Sequence, residues 1–110
     1  MEIKIVEERP ITMLEMKDSL EDIEKRDKAL NFRSNKTKEY LNFLVTNKKK
    51  EQEDIRKKIV ALNIQRLKER HIVKLLDLMP EDLDSLKVMI SGENLTLTEE
   101  DLKKLLESLK

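Results

Sequence analysis

The side chains able to do chemistry are few and poorly grouped. His71 is the only histidine, cysteine is absent and Gly92 is the only glycine. A histidine metal cluster, a thiolate site and a glycine-rich phosphate loop are excluded by those counts. The densest acidic group surrounds Pro80 in LLDLMPEDLDSLKVMI, which brings Asp77, Glu81, Asp82 and Asp84 together. Its spacing lacks the central glycine and closing glutamate of a calcium loop. The simpler reading makes Pro80 the first residue of a helix with Glu81 and Asp82 in its first turn, where carboxylates meet free N–H groups. His71, beside Ile72, reads as a partly exposed helix residue, since a general base needs a pocket and partners that nothing here supplies. No catalytic residue, metal, cofactor or small-molecule substrate is expected.

Cations offer a second chemistry. Residues 33–74 carry a net charge of +8, between −3 for residues 1–32 and −5 for residues 75–110, and the whole chain is neutral. Lys48, Lys49, Lys50, Arg56, Lys57 and Lys58 are the candidates for contact with a phosphate backbone. They lack the interleaved aromatics that stack on single-stranded bases. The plainer alternative is a set of solvated helix faces that balance one another, because faces rich in lysine and glutamate are common.

The elements that must position these groups are helical. The chain has 110 residues, 42% of them charged and only 3% aromatic, with two prolines. That composition suits one domain of helices with long solvated faces over a Leu, Ile, Val and Met core. No stretch approaches the ~20 apolar residues of a membrane span. MEIKIVEERP lacks the apolar core of a signal peptide. A cytosolic or nuclear protein is expected.

Along the chain, EIKIV alternates polar and apolar residues, so Ile3 and Ile5 share one face of a short strand that Pro10 closes off. No second strand candidate exists, and a lone strand leaves its ladder groups unsatisfied unless another chain supplies an edge. Thr12 and Glu15 form a capping box, with Ile11 and Met16 placed as a hydrophobic staple. Met13, Met16, Leu20 and Ile23 follow as a narrow apolar stripe. A second helix is expected from Ser34 to about Thr46, with Thr37, Leu41, Leu44 and Val45 on one side and Tyr40 and Phe43 beside them. Ile55, Ile59 and Leu62 mark a third helix, Ile64 to Met79 a fourth, and Leu83, Leu86 and Ile90 a short fifth. SGEN at 91–94 reads as a turn. Thr98 caps a last helix that begins EED and buries Leu102, Leu105, Leu106 and Leu109.

The segment LLDLMPEDLDSLKVMI, followed by a turn and TEEDLKKLLESL, resembles the C-terminal half of the F polypeptide of archaeal RNA polymerase. Eukaryotic polymerase II carries its counterpart as the fourth-largest subunit. ITMLEMKDSL, KEYLNFLV and QEDIRKKIVAL match upstream in order, so the resemblance runs from about Ile3 to Leu109. It implies a mainly α fold. Residues 47–110 would form an HRDC-like helical bundle, preceded over residues 1–46 by a short N-terminal strand and partner-docking helices, all in one structural unit. It also implies a non-catalytic component of DNA-directed RNA polymerase. That component pairs with the polymerase's E polypeptide as a heterodimer, in a stalk beside the RNA exit channel, assisting promoter opening and transcript handling. Ile3, Ile5, Met13, Met16, Leu20 and Ile23 would face that partner. Two alternatives from the residues alone are a free-standing helical nucleic-acid-binding module, whose binding would be salt-sensitive, and a generic helical adaptor.

Overall fold

A computed structural model describes residues 3–45 and 49–110. The chain is mainly α. Among the described residues six helices follow in order: α1 Met13–Asp27, α2 Phe32–Leu44, α3 Lys49–Ala61, α4 Glu69–Leu78, α5 Leu83–Ser91 and α6 Glu99–Ser108.

Local chemistry explains most helix starts. Thr12 caps α1 through the expected box: its Oγ1 accepts from the Glu15 N–H at 3.1 Å. Asn31 caps α2 by accepting from Ser34 N–H at 2.8 Å, so α2 begins two residues ahead of the expected Ser34. Asp82 caps α5 from Ser85 N–H at 2.7 Å, and Thr98 caps α6 from Asp101 N–H at 3.1 Å. Each cap satisfies an N–H that the helix itself cannot pair.

The helix ends carry an unusual load. With one glycine in the chain, the left-handed positions fall to side-chain-bearing residues: Lys28 (φ 65°), Asn63 (φ 53°), Met79 (φ 45°) and Asn94 (φ 52°). Asparagine tolerates this region, whereas lysine and methionine are crowded there by their Cβ. Within the expected SGEN turn it is Asn94, not Gly92, that takes the left-handed conformation. Lys28 is exposed and ends α1. Lys28→Gly is therefore expected to raise the unfolding free energy by about 0.5–1 kcal/mol, read from the midpoint of a urea melt.

Two hydrophobic groups result. α1 and α2 pack as a hairpin, with Leu14, Leu20 and Leu41 buried. The main core joins α3 to α6: Ile59, Leu75, Leu76, Leu86, Met89, Ile90, Leu102, Leu105 and Leu109, with Ile55, Leu62, Ile64 and Leu67 half-buried around them. α3 lies against α4 and α6, and α5 against α6. Thr46, Asn47 and Lys48, between hairpin and bundle, lie outside the described residues.

Three expectations about elements are corrected. Among the described residues there is no strand; residues 3–11 are irregular and unpaired, since a single edge has no ladder partner in its own chain. The fourth helix starts at Glu69 rather than near Ile64, because Ile64 to Lys68 form a turn that tucks Ile64 and Leu67 against the core. Pro80 is not the first residue of α5. It lies in the connection, after Met79 in the left-handed conformation and before the Asp82 cap, so Glu81 and Asp82 precede the first turn instead of forming it.

Candidate docking surface

The N-terminal segment is the most exposed apolar stretch of the chain. Ile3, Ile5 and Val6 are 91%, 73% and 95% exposed. The backbone of residues 3–11 makes no hydrogen bond to the rest of the described chain. Unpaired N–H and C=O groups beside apolar side chains are what a sheet edge of another chain accepts.

This segment runs into a polar joint that fixes the start of α1 on the bundle. Thr12 is fully buried, and its hydroxyl donates to Gln52 Oε1 of α3 at 2.8 Å while its lone pair takes the Glu15 N–H. The Met13 N–H donates to Asp77 Oδ1 at the end of α4, also at 2.8 Å. Arg56 of α3 donates to Glu15 at 2.8 Å and reaches Glu69 of α4 at 3.4 Å. One small set of side chains thus ties α1, α3 and α4 together.

Burial pushes the Asp77 carboxyl up, against the opposing hydrogen bond from Met13, and the Glu15 charge adds to the rise. The folded state then holds the Asp77 proton more tightly than the unfolded state does. This group's contribution to stability falls as pH rises through the carboxylate range. Asp77→Asn keeps the acceptor and removes the charge, so stability at neutral pH should change by under about 0.5 kcal/mol. Asp77→Ala orphans the Met13 N–H and should cost about 1–2 kcal/mol, measured by urea unfolding.

Along α1, Met13, Met16 and Ile23 are half-buried. Leu20, expected to face a partner with them, is only 3% exposed, and Leu14, absent from the expected stripe, is 6% exposed. Both are taken up by the chain's own packing, in which α1 lies against α2. Ile11 stays 38% exposed.

The basic residues separate. Lys49, Lys50, Lys57 and Lys58 are exposed on α3 and have no ion-pair partner among the described residues. Arg56 is committed to Glu15 and Glu69 and is not free for a phosphate. Lys48 lies outside the described residues.

His71 is 3% exposed, which corrects the expectation of a partly exposed residue. Its Nδ1 accepts from the Lys68 N–H at 2.9 Å, closing the first turn of α4. The proton therefore sits on Nε2, which is buried, without a hydrogen-bond partner, and 3.9 Å from Glu93. Burial, then the Arg70, Lys68 and Lys74 charges, lower the pKa from 6.5, against the pull of Glu93. Because the unfolded chain takes the proton first, stability is full above about pH 6.5 and declines as pH falls through the folded value. The unfolding free energy from urea melts is expected to fall as pH drops below about 6.5, with a slope of at most about 1.4 kcal/mol per pH unit, and His71→Gln should flatten that limb.

Two of the acids around Pro80 have structural contacts. Asp77 anchors α1 and Asp82 caps α5. No group of acidic or histidine side chains among the described residues is arranged to hold a metal. No helix among them is long and apolar enough to cross a membrane.

Sequence reasoning missed the open side of α2. Phe32, Tyr40 and Phe43 are 76%, 61% and 84% exposed. A signal existed in their spacing, which sets them on the side of α2 away from Leu41.

The described residues thus present an unpaired apolar segment with a polar joint behind it. The chain matches the family model described as RNA polymerase Rpb4 over residues 3–110, and it belongs to that family. Membership implies an accessory component of an RNA polymerase. No curated protein matches the chain.

Proposed function

We propose that the chain is the non-catalytic half of a polymerase stalk, pairing with the polymerase's E polypeptide and thereby assisting promoter opening and transcript handling near the RNA exit channel. In this reading residues 1–46 form the partner-docking part and residues 47–110 an HRDC-like bundle. The observation that carries it is the segment holding Ile3 and Ile5, whose apolar side chains and backbone groups are left open by the chain's own fold. Joining a sheet edge on the partner would cover both at once. Met13, Met16 and Ile23 extend the contact along α1. Leu20, enclosed in the hairpin, acts there by holding α1 in place.

Co-expression of the tagged chain with the E polypeptide of its source's polymerase, followed by sizing in moderate salt, tests the reading. A one-to-one complex supports it. Separate elution of two folded proteins refutes it.

The exposed Lys49, Lys50, Lys57 and Lys58 favour a subsidiary RNA contact by the assembled stalk. RNA retention that weakens steeply with salt, and less steeply after charge removal at Lys57 and Lys58, is the expected result.

A further inference from the structure

We propose that the open face of α2 pairs with the same face of a second copy of this chain, forming an antiparallel two-fold helix pair when the protein is free of its polymerase. The observation is a spacing that reads the same from either end: Phe32, three residues, Lys36, two residues, Glu39, three residues, Phe43. At 3.6 residues per turn these four lie within an arc of roughly 60°. Leu41 lies on the opposite side, 4% exposed, and α2 packs on α1. The open face is therefore not the one the hairpin uses.

Turning a second copy about an axis between Thr37 and Lys38 sets Phe32 against the other copy's Phe43, and Lys36 against its Glu39, each twice. Such a patch is complementary to itself, as a two-fold interface requires. The charges already lie on this face: Lys36 Nζ is 3.6 Å from Glu39 Oε2 and 5.7 Å from the Phe32 ring centre. Both side chains remain open, at 62% and 70% exposure. Exposed ion pairs add little strength, so the aromatics supply the affinity and the charges fix the orientation. Four phenylalanines in the pair, at roughly 150–250 Å² each when fully covered, give an interface on the order of 800 Å². That is at the small end of specific contacts and fits a dimer of roughly micromolar affinity or weaker.

Sedimentation velocity on the full chain, from about 10 to about 500 µM, should show monomer giving way to dimer. Phe43→Glu should weaken association at least about tenfold. Phe43 is 84% exposed, so the thermal midpoint should not move. Lys36→Glu should weaken the dimer, and Lys36→Glu combined with Glu39→Lys should restore it. A chain that stays monomeric throughout overturns the proposal. So does a dimer indifferent to Phe43→Glu, or a charge swap no better than the single reversal. A monomeric chain whose affinity for the E polypeptide falls on Phe43→Glu would give this face to the heterodimer and overturn the homodimer. The proposal concerns α2, which lies within the 1–46 docking part, but it does not use the contacts named for the stalk reading, Ile3, Ile5, Met13, Met16 and Ile23.

Discussion

Leu76→Ala and Leu105→Ala are each expected to lower the unfolding free energy by about 2–5 kcal/mol, the range for a leucine deleted from a packed interior. Both side chains are fully buried in the main core. Leu76 belongs to α4, where His71, Val73, Leu75 and Leu76 are all buried. So broad a covered face means that neighbours on several sides lose contacts when it is truncated. Leu105 belongs to α6, whose buried side also holds Leu102 and whose capping residue Leu109 joins the same core. With only about 5–15 kcal/mol available to an ordinary domain, either loss is a large share of the total. Urea unfolding gives the comparison, with Val88→Ala as the control. Val88 is 74% exposed, and its truncation should cost under about 0.5 kcal/mol. Equal behaviour of Leu105→Ala and Val88→Ala would show that α6 does not close the core.

How far the sequence carries depends on whether the deciding contacts are local. α6 is legible because its cap, its acidic first turn and its leucine spacing lie within a dozen or so residues and agree. The Thr12 box is legible for the same reason. The second job of Thr12 is not, since Gln52 lies 40 residues away and Asp77 meets Met13 across 64. Nothing in a single chain's periodicity joins positions so far apart. Of the acids around Pro80, Asp77 and Asp82 have structural roles but not the first-turn one expected, because those roles depend on a partner helix and on where α5 begins.

His71 shows a different failure. It precedes Leu75 by four residues and so shares its face, a signal present in the sequence. Reading it beside Ile72 alone hides that alignment. On α2, Leu41 and the Phe32–Phe43 stripe occupy opposite sides, so the apolar pattern does not resolve into one face. Single-face periodicity reads such a helix poorly. The N-terminal alternation is real, but it does not make a strand, because a strand is a property of a pair of edges. One edge in isolation has nothing to pair with.

That unpaired segment carries the second large effect. Ile3→Asp with Ile5→Asp is expected to lower affinity for the E polypeptide at least about tenfold, while the free chain unfolds within about 0.5 kcal/mol of the parent. The separation follows from exposure. At 91% and 73% exposed, neither isoleucine contributes to the chain's own packing, so carboxylates there disturb nothing in the monomer. In the complex the same carboxylates would lose their water against an apolar partner surface. Alternation makes the test sharper. Ile3 and Ile5 point to one side of an extended chain and Lys4 to the other. Lys4→Asp should therefore weaken binding much less than the double isoleucine change if the segment docks as a strand. A sticky, unstructured tail would respond to the apolar content alone, so moving the isoleucines to positions 4 and 6 would leave its affinity unchanged. A strand would lose affinity on that move, because a shift of one residue turns every side chain to the wrong face. Calorimetric titration of the E polypeptide with these variants separates the two cases, and unchanged affinity in all of them would place the docking surface elsewhere on the chain.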